Sequence, residues 1–94
     1  MYFRHEQLTS AGSLTVRCRL FARYAEITGM TEVTLELPRS STVADAVRLL
    51  RARAPGASQM PARPLVALNQ TQALPEEQLH DGDELAFLPP IAGG

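Results

Sequence analysis

One stretch of the chain, residues 43–54, has the apolar spacing of a helix long enough to cross a sheet. The apolar side chains that recur there are Val43, Ala46, Val47, Leu50 and Ala54. Thr42 is the predicted N-cap, and Asp45 falls in the first turn, where the helix dipole favours a carboxylate. Pro55 and Gly56 end the stretch. We expect this helix to lie across a sheet with its apolar stripe facing inward.

Apolar and polar residues alternate on both sides of this helix, which predicts strands. The predicted strands are residues 14–20, 31–37, 65–68 and 84–88. A short helix is predicted over residues 21–27 and ends at Gly29, the residue best suited to a left-handed cap. The first two strands are close in sequence, so we expect them to pair antiparallel.

The predicted order is strand, short helix, strand, long helix, strand, strand, which is the layout of an α+β domain of the β-grasp type. We expect a mixed four- to five-stranded sheet packed on one long helix. The 94 residues suffice for one small domain. Its predicted parts are a loose N-terminal leader at residues 1–12, the β-grasp domain at 13–88 and an extended tail at 89–94.

Composition excludes several functional classes. The net charge is −1 and no Lys/Arg run follows a helix face, so nucleic-acid binding has no support. Cys18 is the single cysteine and falls on the apolar side of its strand, where we interpret it as a small buried hydrophobe. Residues 1–12 do not resemble a signal peptide and no apolar run could span a bilayer, so we expect a cytoplasmic protein.

Metal chemistry has no support in the sequence either. His5 and His80 are isolated, and no Cys/His/Asp cluster has the spacing of metal ligands. Asp81, Asp83 and Glu84 lie in too short a loop for the twelve-residue calcium pattern, so we interpret them as a turn. No Gly-rich phosphate loop is present, so we expect the chain to bind no cofactor and a partner to bind any ATP that is used.

The most informative segment is residues 81–94, DGDELAFLPPIAGG. Pro89 and Pro90 lack a backbone N–H and cannot continue a central strand, so they begin an extended tail. Gly93 and Gly94 have no Cβ and can enter a narrow channel. The six tail residues reach about 20 Å beyond the fold. A carboxylate on such an arm becomes useful when a partner adenylates it and a sulfur donor converts it to a thiocarboxylate.

Three segments resemble the MoaD/ThiS family of ubiquitin-like sulfur carriers. They are Phe21-Ala22 through Glu26 and Gly29, residues 66–70, and Leu79 with residues 81–94. The family often has Arg where this chain has Ala25, and a second Phe where it has Leu88. Only the C-terminal match is highly specific.

The resemblance implies a ubiquitin-like β-grasp fold and a non-catalytic carrier subunit. It implies that an activating enzyme adenylates Gly94, that a thiocarboxylate forms there, and that the tail enters the large subunit of molybdopterin synthase. The sulfur would pass to cyclic pyranopterin monophosphate, within a heterotetramer of two small and two large subunits. The positions that match partner contacts are Phe87, Leu88, Pro89, Pro90, Ile91, Ala92 and Gly93.

Other functions for the tail stay open at this point. The chain could carry sulfur for the thiamin thiazole or for tRNA thiolation. It could be a ubiquitin-like protein modifier joined to lysines through Gly94. It could also be a β-grasp interaction module with an inert tail, because glycine-rich chain ends are often simply frayed.

Overall fold

A computed structural model describes residues 1–4 and 12–90 of the chain. Its strands are β1 (Tyr2–Arg4), β2 (Ser13–Leu20), β3 (Glu32–Pro38), β4 (Leu65–Leu68), β5 (Thr71–Gln72) and β6 (Glu84–Leu88). Its helices are α1 (Ala22–Thr28), α2 (Val43–Arg53) and a 3-10 turn at Ala57–Gln59. Both predicted helices and all four predicted strands are therefore present.

The strands form one mixed sheet in the order β1-β3-β2-β6-β4-β5. Strands β2 and β3 pair antiparallel, as predicted, and β2 pairs parallel with β6. Strand β4 pairs antiparallel with both β6 and β5. The last strand in sequence thus lies in the middle of the sheet, between β2 and β4.

The sheet has six strands, whereas the sequence predicted four or five. One additional strand, β1, falls in the stretch predicted as a loose leader and pairs parallel with β3. Phe3 packs against the core, and the Thr34 N–H donates to the Met1 carbonyl at 2.7 Å. The other additional strand, β5, follows a tight turn in which Asn69 and Gln70 both have positive φ. Residues 5–11 of the predicted leader lie outside the described part of the chain.

Helix α2 begins as predicted. The Asp45 N–H donates to Thr42 Oγ1 at 3.3 Å, and the Thr42 N–H donates to Asp45 Oδ2 at 2.8 Å, which makes a reciprocal capping box. Val43, Ala46 and Leu50 of the predicted stripe are at most 2% exposed. The stripe packs on one face of the sheet, as the pattern requires.

The core lies between the sheet and the helices. Its largest fully buried side chains are Phe87, Leu35, Leu37, Leu50, Met60, Leu79, Leu85, Val16, Val33 and Cys18. Burial raises the pKa of the Cys18 thiol, as expected for an inert core residue. Leu79 is 1% exposed and anchors the segment before β6 in the core.

The opposite face of the sheet, which we call the open face, carries no helix among the described residues. None of the outward-facing side chains in β2, β3, β4 and β6 is buried. In the described ranges, no helix is long and apolar enough to cross a membrane. Within residues 1–4 and 12–90, the open face is the face of the sheet on which the strands have accessible side chains.

Candidate functional site at the end of the central strand

The turn before β6 fixes where that strand starts. Asp81 Oδ1 accepts the Thr15 N–H at 2.7 Å, which ties the turn to β2. Asp83 Oδ1 accepts from Asn69 Nδ2 at 2.9 Å, and Asn69 Oδ1 accepts the Glu84 N–H at 3.0 Å. Asp81 thus accepts a hydrogen bond from β2, and Asp83 accepts one from the turn after β4. These hydrogen bonds fix the start of β6, the strand that leads into the tail, which we call the root of the tail.

Strand β6 alternates between the core and the open face. Leu85 and Phe87 are 0% exposed, whereas Ala86 and Leu88 point outward and are half-buried. The sequence predicted a partner contact for Phe87, but its side chain lies in the core and offers no surface. The neighbouring residue on the outward side of the strand is Leu88, which is half-buried.

The strand ends at the proline pair. Leu88 is opposite Leu65 in β4, and Phe87 is level with Leu20 in β2. Pro89 is half-buried and Pro90 is exposed. Because proline has no N–H to donate, pairing stops here while both neighbouring strands hold the chain up to that point. The tail thus leaves from the middle of the sheet and not from an edge.

Four predicted site residues lie outside the described residues. They are Ile91, Ala92, Gly93 and Gly94. From Pro90, four extended residues reach about 14 Å. The predictions for these positions stay predictions.

An apolar area on the open face surrounds the end of β6, and we call it the outer patch. It consists of Phe21, Leu65, Ala67, Ala86 and Leu88. Leu65 is 45% exposed and Phe21 is 37% exposed. Ala67 and Ala86 are directly opposite each other, and their short side chains leave a shallow floor between the larger ones. Large exposed apolar side chains that cluster beside a chain exit are typical of a protein-binding surface.

Charged groups border the outer patch. The Arg19 guanidinium lies 5.3 Å from the centre of the Phe21 ring, which places Phe21 on the same face as Arg19. Farther along the same strands, Arg17 pairs with Glu84 at 2.9 Å. The patch is therefore an apolar area with a polar border, which is the usual anatomy of an interface.

Sequence reasoning missed Phe21 and Leu65. Phe21 was assigned to the start of a helix, but it is the extended N-cap residue of α1 and continues the outward side of β2. Leu65 belongs to a continuous apolar run in which periodicity does not show which side chains face inward. Pairing of Leu65 with Leu88 across β4 and β6 is the signal that places it in the site.

The described residues contain no group of three or more His, Cys, Asp and Glu side chains placed to hold a metal ion. At this end of the sheet, the described residues provide an exposed apolar area, the outer patch, beside the point where the chain leaves β6.

The ThiS family model matches residues 18–94. A molybdopterin synthase sulfur carrier subunit from Arabidopsis thaliana is 33% identical over 82 residues, which cover 87% of this chain and 85% of that relative. One from Chlamydomonas reinhardtii is 32% identical over 83 residues, covering 86% of this chain and all of the relative.

Solved structures confirm the β-grasp prediction. The crystal structure of SAMP1 from Haloferax volcanii has a TM-score of 0.75 and 30% identity, and the match covers 85% of this chain and 99% of that one. A chain in the complex of subunits 1 and 2 of the molybdopterin-converting factor from Helicobacter pylori has a TM-score of 0.62 and 21% identity. That match covers 86% of this chain and 100% of the other, and it bears on the fold alone.

Proposed function

Because the chain belongs to the ThiS family, we propose that it is a sulfur carrier of molybdopterin biosynthesis and that Gly94 carries the sulfur. The observation that carries the proposal is the family match through residue 94 of a chain whose central strand leads directly into its tail. Relatives that match most of the chain bear this function in their names.

The proposed chemistry takes place on the carboxylate of Gly94. An activating enzyme binds ATP, the carboxylate displaces pyrophosphate, and an acyl adenylate forms. A sulfide-level donor then displaces AMP and leaves a thiocarboxylate. The sulfur passes to the pterin precursor, and water restores the carboxylate. Partners supply the catalytic groups, and this chain supplies the covalent intermediate.

The proposed partner for sulfur transfer is the large subunit of molybdopterin synthase. Support comes from the relatives that match most of the chain, whose names identify them as subunits of molybdopterin synthase. On this chain, the outer patch and the exit at Pro90 share one side of the sheet, so one partner could contact both. The activating enzyme, the arrangement of two small with two large subunits and the cytoplasmic location stay predictions.

Intact-mass spectrometry of the chain co-expressed with its activating enzyme tests the proposal. We expect a mass increase equal to the difference between sulfur and oxygen, located on the C-terminal peptide. A variant that lacks Gly94 should show no increase, while its unfolding transition should match that of the full chain. A full chain that never gains sulfur would contradict the carrier function, and adducts on lysines of other proteins would indicate a protein modifier instead.

A further inference from the structure

A groove with a cavity volume of about 390 Å³ lies between α2 and β4, on the helix-covered side of the sheet. Val43, Val47 and Val66 form its floor and are each at most 4% exposed. Pro64 and Pro75 form its walls. Because the floor belongs to the hydrophobic core, the groove suits an apolar side chain better than a polar one.

Three arginines surround this apolar floor: Arg48, Arg51 and Arg63. Arg51 Nε donates to the Met60 carbonyl at 2.9 Å, a contact that orients the guanidinium without cancelling its charge. Arg48 pairs with Asp45. None of the described residues that line the groove is a carboxylate. The groove therefore favours an apolar side chain accompanied by negative charge.

An apolar side chain with acidic neighbours, Leu74, lies at the rim of the same groove. Leu74 is 60% exposed, and it stands between Ala73 and Pro75, which both line the groove. Leu74 itself is not among the residues that line the groove of its own chain. Glu76 and Glu77 follow it and are exposed.

The segment that carries Leu74 is held firmly. The Val43 N–H donates to the Glu77 carbonyl at 2.9 Å, and the Ala44 N–H donates to the Pro75 carbonyl at 2.8 Å. These bonds tie the segment to the first turn of α2. An exposed leucine with two neighbouring carboxylates is thus presented in a fixed place beside the groove that fits it.

The segment that supplies the groove arginines is basic, and the rest of the chain is acidic. Residues 39–64 contain five arginines and one carboxylate, a net charge of +4. The remaining residues contain four arginines and nine carboxylates, a net charge of −5, which gives the −1 of the whole chain. Of the nine carboxylates, Glu76 and Glu77 lie beside Leu74, so this segment is complementary in charge to the arginines around the groove.

We propose that two copies of this chain associate through their α2 sides, with Leu74 of each copy in the groove of the other. Glu76 and Glu77 then face the arginines of the opposite groove. Because the groove and Leu74 are adjacent on one surface, a two-fold axis forms both contacts at once. The interface is small, so the association is weak and reversible. The outer patch and the end of β6 lie on the opposite face, so this inference does not depend on the proposed function.

Sedimentation velocity of the full chain over a range of concentrations tests the inference. We expect the weight-average mass to rise with concentration, and the dimer dissociation constant to increase at least about tenfold in Leu74→Ser. Leu65→Ser is the matched control, because Leu65 is an exposed leucine on the open face, and it should associate as the wild type does. Urea unfolding of each variant verifies that the domain is intact.

A charge exchange tests the polar part of the interface. Arg63→Glu should weaken association, and combining it with Glu76→Arg and Glu77→Arg should restore it. A wild-type chain that stays monomeric throughout, equal effects of Leu74→Ser and Leu65→Ser, or no restoration by the charge exchange would each overturn the proposal.

Discussion

Replacing Gly56 with alanine should destabilise the domain strongly, for a reason visible in the backbone. Gly56 precedes the 3-10 turn at Ala57–Gln59 and has a φ of +74°. A Cβ built at this position would lie 1.9 Å from the Ile27 carbonyl oxygen and 2.9 Å from its carbonyl carbon. Both are main-chain atoms of α1, so no side-chain rotation can relieve the contact.

Two costs add in this variant. Alanine in the left-handed region costs about 1–2 kcal/mol. Overpacking that forces a backbone shift costs about another 1–3 kcal/mol. We therefore expect Gly56→Ala to lower the free energy of unfolding by about 2–5 kcal/mol, a large part of the roughly 5–15 kcal/mol available to a small domain.

Gly29 supplies the matched control. Gly29 is the C-cap of α1, the helix that Gly56 contacts, and it has a similar φ of +71°. A Cβ at Gly29 would meet no atom within 4 Å. Gly29→Ala should therefore bear only the conformational cost of about 1–2 kcal/mol. Urea unfolding followed by circular dichroism measures both variants. If Gly56→Ala is no less stable than Gly29→Ala, then Gly56 does not lie as tightly against Ile27 as the structure shows.

Three further predictions concern the outer patch, the core thiol and the cap of α2. Leu65→Ser should weaken binding to the large synthase subunit about tenfold in titration calorimetry, whereas Leu74→Ser should not change it. Burial raises the pKa of the Cys18 thiol because the charged thiolate is disfavoured in the core. Burying the neutral thiol therefore contributes fully to the free energy of unfolding below the ordinary thiol pKa, and this contribution is lost as the pH rises above it. The free energy of unfolding should therefore fall by about 1.4 kcal/mol per pH unit above about pH 8.5, and Cys18→Ala should remove this slope. Thr42→Ala should cost about 1 kcal/mol in urea unfolding, and Thr42→Ser should retain most of that stability.

The elements that the sequence predicted are those with an internal pattern. Helix α2 has its stripe and its cap, and the two strands before it alternate clearly. Strand β1 has only three residues, and its place depends on pairing with β3, more than twenty residues away in the chain. Strand β5 has two residues, and it depends on positive φ at both Asn69 and Gln70, a conformation uncommon for glutamine. Both β1 and β5 therefore form through contacts that exist only in the folded chain, and local sequence does not predict them.

The same distinction holds for the site. The tail was recognisable because proline and glycine have effects that need no neighbours. The outer patch was not, because it joins side chains from β4, β6 and the residue after β2. Phe87 illustrates this difference. The alternation of β6, which begins with the outward-facing Glu84, places Phe87 on the inward side. The match of Phe87 to a family position nevertheless suggested a partner contact. Local periodicity was the better guide.

The central position of β6 determines where the tail leaves the domain. Pairing with β2 on one side and β4 on the other fixes the tail's root, and the turn at Asp81–Asp83 fixes the start of the strand. A partner that holds the outer patch therefore also determines where the tail begins. Four residues follow Pro90 in the sequence, and any four residues span at most about 14 Å. Under the proposed function, this short length would keep the effective concentration of the Gly94 carboxylate high in the partner's active site. If two partners use this surface in turn, they must exclude each other, so the first has to release the carrier before sulfur can be delivered.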